Sequence, residues 1–146
     1  MIYPKYSKKR KQKIKISTAD QWFSRYIRLR DIIQGEYCRC CTCGKIIHWK
    51  YEAECGHFVT RDRSTTRFNE QNCNAQCNYC NSEKHGEQYK HGEYIDKKYG
   101  SGTAQKLTNL GGIRGGKVSN IGLKDIAKEY RLKTKEEACK KGIELK

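Results

Sequence analysis

The chain has 146 residues, enough for one domain and too few for two with independent cores. Only 36% of it is apolar, so the core is expected to be small and to need a staple. A net charge of +15, from 31 Lys and Arg against 16 Asp and Glu, makes a polyphosphate the natural partner; no long apolar run or basic amphipathic helix supports a membrane instead.

Residues 1–16 carry seven Lys or Arg and no acid, and read as a flexible basic arm able to neutralise phosphates. The N-terminus lacks the apolar stretch of a secretory signal, so the protein is expected in the cytoplasm. From "STADQWFSRYIRLRDII" a helix is predicted, with Thr18 and Gln21 as a capping box and Trp22, Tyr26, Leu29 and Ile33 as its buried stripe. Arg25, Arg28 and Arg30 fall off that stripe and are free to meet phosphate or solvent, and Gly35 is the expected stop.

Residues 36–80 hold eight of the nine cysteines, with short β-like pieces such as "KIIHWKY" between them. A second helix is predicted from near Cys77 through "NSEKHGEQYKHGEYIDKKYG", with breaks allowed at Gly86 or Gly92. A short helix follows at 103–110, "NLGGIRGGKVSN" reads as a linker, and one or two charged helices fill 122–141 with apolar points at Leu123, Ile126 and Tyr130. The domain plan is therefore an arm at 1–16, a zinc-stapled domain at 17–110, a Gly-rich linker at 111–120 and a helical extension at 121–146.

An odd cysteine count with paired C-x-x-C spacings reads as metal ligation in a reducing compartment. Cys40 and Cys43, followed by Gly44, form one knuckle; Cys77 and Cys80 form the other. Two intervening residues let both sulfurs of a pair reach one tetrahedral Zn²⁺. Cys38 and Cys41 offer an overlapping register, but the glycine after Cys43 suits a knuckle turn. Cys55, Cys73 and Cys139 are left as spare thiols. A four-thiolate zinc is structural, because no coordination position stays open.

Beside the second knuckle stand His57, Asn72, Asn81 and His85. On a helix, Asn81 and His85 at i and i+4 would share one face and reach a single ion. Each residue has a plainer reading, as a surface histidine or a turn-capping amide, but their order beside a zinc knuckle favours a site. His48 and His91 are given no role.

The segments "FSRYIRLRD", "CTCG", "EAECGHF", "RFNEQN", "QCNYCN" and "HG" together resemble the HNH (His-metal finger) nucleases, and within them the phage NinG/Rap recombination endonuclease family. The resemblance spans roughly residues 18–100. It implies an α+β fold with a small zinc-stapled ββα-metal core and flanking helices. It also implies a DNA endonuclease acting on branched or Holliday junction DNA. His57 is then the general base and Asn72 accepts its other ring N–H; Asn81 and His85 hold a catalytic Mg²⁺ or Mn²⁺. Asn81 stands where the series usually has histidine, favouring an oxygen-loving ion. Gly56 stands where many such enzymes carry an acidic ligand. Glu54 is the substitute, brought to the same side as His57 if Gly56 forms a bulge.

Arg61, Arg63 and Arg67 lie between the base and Asn72, where they would grip flanking phosphates, with Lys84 and Lys90 weaker candidates. Paired cuts on a junction would suit a homodimer, with the C-terminal helices as one possible contact. Three other readings stay open: a nuclease without junction preference, a silent zinc-ribbon DNA-binding protein, and, given ten tyrosines, an RNA binder.

Overall fold

Ser17, not Thr18, begins the first helix. In the computed structural model, which describes residues 16–146, the Ser17 hydroxyl accepts the Asp20 N–H at 3.2 Å and the Asp20 carboxylate takes the Ser17 N–H at 2.8 Å. This capping box starts α1 (Thr18–Arg30) one residue earlier than the predicted pair, and the Asp20 carboxylate that closes it is also paired with Arg67. The helix ends at Arg30 rather than Gly35. Its buried stripe is Ala19, Phe23 and Ile27, with Leu29, while Trp22 and Tyr26 flank it half-buried. Ile33, outside the helix, is 57% exposed. The arm expected at 1–16 lies, save for Ile16, outside the described residues.

The architecture is α+β. Strands β1 (Ile32–Gln34), β2 (Tyr37–Arg39) and β3 (Ile46–His48) form a three-stranded antiparallel sheet, with Gly35 in the β1–β2 turn. Strands β4 (Ala53–His57) and β5 (Cys73–Cys77) form a second, two-stranded sheet, with a 3₁₀ turn at Glu70–Asn72 just before β5. A π-helical turn, Tyr79–Glu83, follows β5, and the chain breaks at 84–87 before α2 (Gln88–Tyr99). The single long helix predicted from Cys77 is thus split at Gly86, whose φ is +87°.

Helix α3 (Thr103–Gly112) packs with α2 around Phe58, Ile95 and Leu107. Residues 113–119 have no regular structure, and Gly115 lies so close to Ser64 that a Cβ there would collide. Helix α4 (Asn120–Lys141) is one continuous helix, and it does not stand off as an extension. Tyr130, Thr134 and Ala138 recur every four residues as its buried face against α1. Phe23 sits edge-on to the Tyr130 ring at 4.8 Å, and the Lys141 ammonium caps the carbonyls of Leu29, Arg30 and Ile32 at 2.7–3.1 Å. The two helices therefore run in the same direction, and the Lys141 ammonium adds a charged donor to carbonyls at and just past the end of α1. Among the described residues no helix is long and apolar enough to cross a membrane.

What anchors the β4–β5 pair is an adjacent ion pair at the end of α1. Arg30 and Asp31 meet through Nε–Oδ1 at 2.8 Å, with side chains 16% and 7% exposed. Arg30 also donates to the carbonyls of Glu70 and Cys73, both at 2.8 Å, and Asp31 accepts the Ala75 N–H at 2.7 Å. Removing one partner of such a pair strands both a charge and several buried backbone groups. Arg30→Met is expected to cost roughly 3–5 kcal/mol by urea unfolding, whereas Arg131→Ala, on the exposed face of α4, is expected to change stability by under about 0.5 kcal/mol.

Candidate functional site

The first knuckle is built by the turn after β2. The Cys40 N–H donates to the Lys45 carbonyl at 2.8 Å and the Gly44 N–H to the Cys40 carbonyl at 3.0 Å, with Gly44 at φ +76°, a conformation that costs other residues dearly. The second knuckle closes β5 and opens the π-helical turn. Together they bring the sulfurs of Cys40, Cys43, Cys77 and Cys80 within 4.8 Å of one another. Burial disfavours a thiolate at Cys40. N–H groups of Cys43 and Cys77 and the Thr42 hydroxyl more than offset it, pulling the thiol down to about 6. A sulfur already stabilised as an anion beside three others is the donor set of a structural zinc.

Cys38 and Cys41 are excluded from that set. The Cys38 thiol donates to the Arg28 carbonyl at 3.2 Å, and neither its sulfur nor that of Cys41 belongs to the four-sulfur cluster. The register of the first knuckle is therefore Cys40 and Cys43.

His57 closes β4. Its Nε2 lies 3.0 Å from the Arg67 carbonyl, which can only accept, so this hydrogen bond puts the proton on Nε2 and leaves Nδ1 as the lone pair. Burial lowers its pKa below the ordinary 6.5, with the carbonyl contacts at Arg67 and Cys55 opposing in part, so the ring is neutral at pH 7. Asn72 does not meet this ring. Its Oδ1 accepts the Val59 N–H at 2.8 Å, and its Nδ2 donates to the carbonyls of Val59 and Thr66 at 3.0 and 3.1 Å. All of the amide is used to pin the loop that follows His57. The backbone of Arg67, at the far end of that loop, orients the imidazole instead.

No bulge forms at Gly56. The pairing runs without interruption from Ala53↔Cys77 to His57↔Cys73, so Glu54 and His57 face opposite sides of β4. Glycine is required at 56 for clearance: a Cβ there would collide with the Gln76 side chain, which leaves no room for an acidic ligand at that position. Glu54 and Asn81 do meet. The Glu54 oxygens accept from Asn78 Nδ2 at 2.8 Å and Asn81 Nδ2 at 2.6 Å. His85 is not part of this group. The Lys84 N–H reaches back five residues to Tyr79, a wide turn on which i and i+4 no longer align, and His85 itself is exposed with φ +53°.

A cleft of about 590 Å³ runs between α1 and the outer edge of β4, lined by Arg25, Arg28, Glu54, Cys55, His57 and Arg61 among others. Because β4 is an edge strand, both of its faces reach this cleft. Arg25, held over the Trp22 ring at 5.4 Å, lines the cleft, as does Arg28, though Arg28 donates to the carbonyls of Ser24 and Trp49. Arg67 is withdrawn from any phosphate role. Its guanidinium makes a two-pronged pair with Asp20, at 3.0 and 2.5 Å, and both side chains are about 90% buried. Arg63 and Lys90 are exposed, and Lys84 is 3.7 Å from Glu87. His91 is buried, with Nε2 accepting from Asn74 at 3.1 Å, and His48 stacks on Tyr51.

Plain alternation along β4 puts Glu54 and His57 on opposite faces, and the bulge expected to join them does not form; no sequence signal announced the Asp20–Arg67 pair or the Asn78 contact to Glu54. The knuckle assignment has a direct check in metal content. Cys77→Ser is expected to lose the bound zinc and to unfold at lower temperature, while Cys38→Ser and Cys41→Ser keep about one zinc per chain by atomic absorption.

No curated protein and no solved structure matches the chain. One family model does, described as Bacteriophage Lambda NinG protein, and it covers residues 4–141, nearly the whole length from the basic arm to the end of α4. With its cysteine knuckles and its β4–β5 pair lying inside that span, the chain belongs to the phage lambda NinG family.

Proposed function

We propose that this protein is a metal-dependent DNA endonuclease of phage recombination that cuts branched DNA. The observation that supports it most is a neutral, backbone-oriented His57 opening onto the same arginine-lined cleft as Glu54, which is itself in contact with Asn81. Family membership points to a recombination role, and the preference for junctions rests on the family alone.

In this reading His57 Nδ1 takes a proton from a water in the cleft. The hydroxide attacks the phosphorus in line, the 3′-oxygen departs, and the 5′-phosphate stays on the downstream strand. Glu54 and the Asn81 carbonyl oxygen offer only oxygen donors, which fits Mg²⁺ or Mn²⁺ and does not fit a thiophilic ion. Such an ion, when bound, would stabilise charge on the scissile phosphate and the leaving oxygen. Arg25 and Arg61 would hold the flanking phosphates, with Arg63 extending the basic edge. A second copy would be needed for paired cuts, and because the buried face of α4 is used within the chain, its exposed Ile121 and Leu132 would be the surface to probe.

The test is strand scission of a labelled four-way junction and a matched linear duplex with Mg²⁺. His57→Ala is expected to bind the junction but cut at least roughly a hundredfold slower, the lower end of general-base contributions. Since the His57 pKa lies below its ordinary value, the base form persists on acidification. The rate is therefore expected to hold to a lower pH than an ordinary imidazole would allow and to fall on further acidification. Binding without Mg²⁺-dependent cutting would select the silent zinc-ribbon alternative. Equal cutting by His57→Ala would remove His57 as the base.

A further inference from the structure

Two thiols beside His57 are left unused by the reading above. Cys55 and His57 are two residues apart on one face of β4, and Cys73 pairs directly opposite His57 on β5. Their sulfur and ring-nitrogen atoms all lie within 4.8 Å of one another. This triangle follows from the uninterrupted strand register: a slip of one residue would send Cys55 and His57 to the other face.

Two sulfurs and an imidazole are the donors that zinc and similar thiophilic ions prefer, and that Mg²⁺ avoids. Three protein ligands leave a fourth position open. Cys55 and His57 line the cleft, so that position is on the solvent side, while Cys73 closes the buried side. Zn²⁺ with two thiolates is neutral overall, which suits a half-buried pocket beside Arg28 and Arg61 better than a bare cation would. Cys77, of the four-cysteine cluster, is four residues along β5 from Cys73, roughly 13 Å at the usual strand rise, too far for the two centres to share ligands.

We propose that Cys55, His57 and Cys73 form a second metal site, for Zn²⁺ or a similar thiophilic ion, with one open position on the cleft. We further infer that filling it switches off cutting. His57 Nε2 is engaged by the Arg67 carbonyl, so the metal takes Nδ1, the same lone pair that removes the water proton. The ion and the base reaction exclude each other. The inhibitory half rests on the endonuclease reading; the site itself does not.

The experiment uses the full chain with its four-cysteine site filled, kept reduced with a phosphine, and titrated with Zn²⁺ and with Co²⁺. Thiolate-to-cobalt charge-transfer absorbance counts only sulfur-bound ions. Beyond the filled site, wild type is expected to take up about one such ion, Cys55→Ser about none, and Cys139→Ser, at an exposed position on α4, about one. Cys55 is chosen because it is only half-buried, whereas Cys73 is completely buried and its replacement risks the fold. No uptake by wild type beyond the four-cysteine site, or uptake of the further ion by Cys55→Ser, overturns the site. A slight excess of Zn²⁺ is expected to slow junction cutting at least about tenfold in wild type and under about twofold in Cys55→Ser, each against its own rate without the excess. A second ion that binds without slowing wild type overturns the inhibitory half. If wild type does not cut the junction while Cys55→Ser still loses the second ion, the endonuclease reading fails and the site stands. If His57→Ala cuts like wild type, the base assignment and the inhibitory half fail and the site stands.

Discussion

Arg30 and Asp31, side by side where α1 ends, hold the β4–β5 pair against the helices, and the other features of the molecule are positioned from that clasp. Arg30 reaches the carbonyls on both sides of the turn into β5, Asp31 takes the Ala75 N–H in the middle of the strand, and Lys98 from α2 approaches Asp31 at 3.3 Å. A buried ion pair by itself contributes little, because desolvation offsets most of its Coulombic gain. This one matters through the backbone groups it satisfies. Without it, buried carbonyls and an amide of a strand whose five residues are all buried would lack partners.

From that strand the chemistry branches in two directions. Toward its C-terminal end, Cys77 joins Cys40, Cys43 and Cys80 in the cluster suited to a structural zinc, tying the three-stranded sheet to the start of the π-helical turn. Toward its N-terminal end, Asn72 pins the loop after His57, and the Arg67 carbonyl fixes the imidazole. The loop is held at its far end by the Arg67–Asp20 pair, whose carboxylate also caps α1. One aspartate thus couples the start of a helix to the orientation of a candidate base through three hydrogen-bonded links. Arginines that look like phosphate ligands in a basic sequence divide accordingly. Arg30 and Arg67 are bound into the fold, while Arg25, Arg61 and Arg63 remain at or near the cleft edge or in solvent.

The small apolar content is offset by aromatic packing rather than by a broad aliphatic core. Phe23 meets Phe68 and Tyr130 edge-on at 5.6 and 4.8 Å, and the hydroxyls of Tyr26 and Tyr130 both reach Glu70, which Lys133 neutralises at 2.7 Å. Tyrosine suits this seam between α1 and α4, since it gives apolar area to the core and keeps a polar end for a charged partner. The same seam makes α4 part of the folded unit.

Read alone, the amino-acid sequence determined the paired cysteine knuckles, a short helix from 103, helical structure over 122–141, a weak point at Gly86 or Gly92 in the helix after Cys77, and the excess of positive charge. Each of these depends on spacing, on backbone preference or on composition, all local properties. Tertiary structure decided the rest. Whether Asn72 would serve the imidazole or the loop depended on which carbonyls came within reach once β4 paired with β5. Whether Glu54 could join His57 through a bulge depended on Gln76 occupying the space over Gly56. Cys55 and Cys73 lie eighteen residues apart in the chain and meet only because the strand register sets them on one face. Spacing along a chain specifies which side chains an ion can hold when they belong to one turn; across strands, that choice belongs to the pairing.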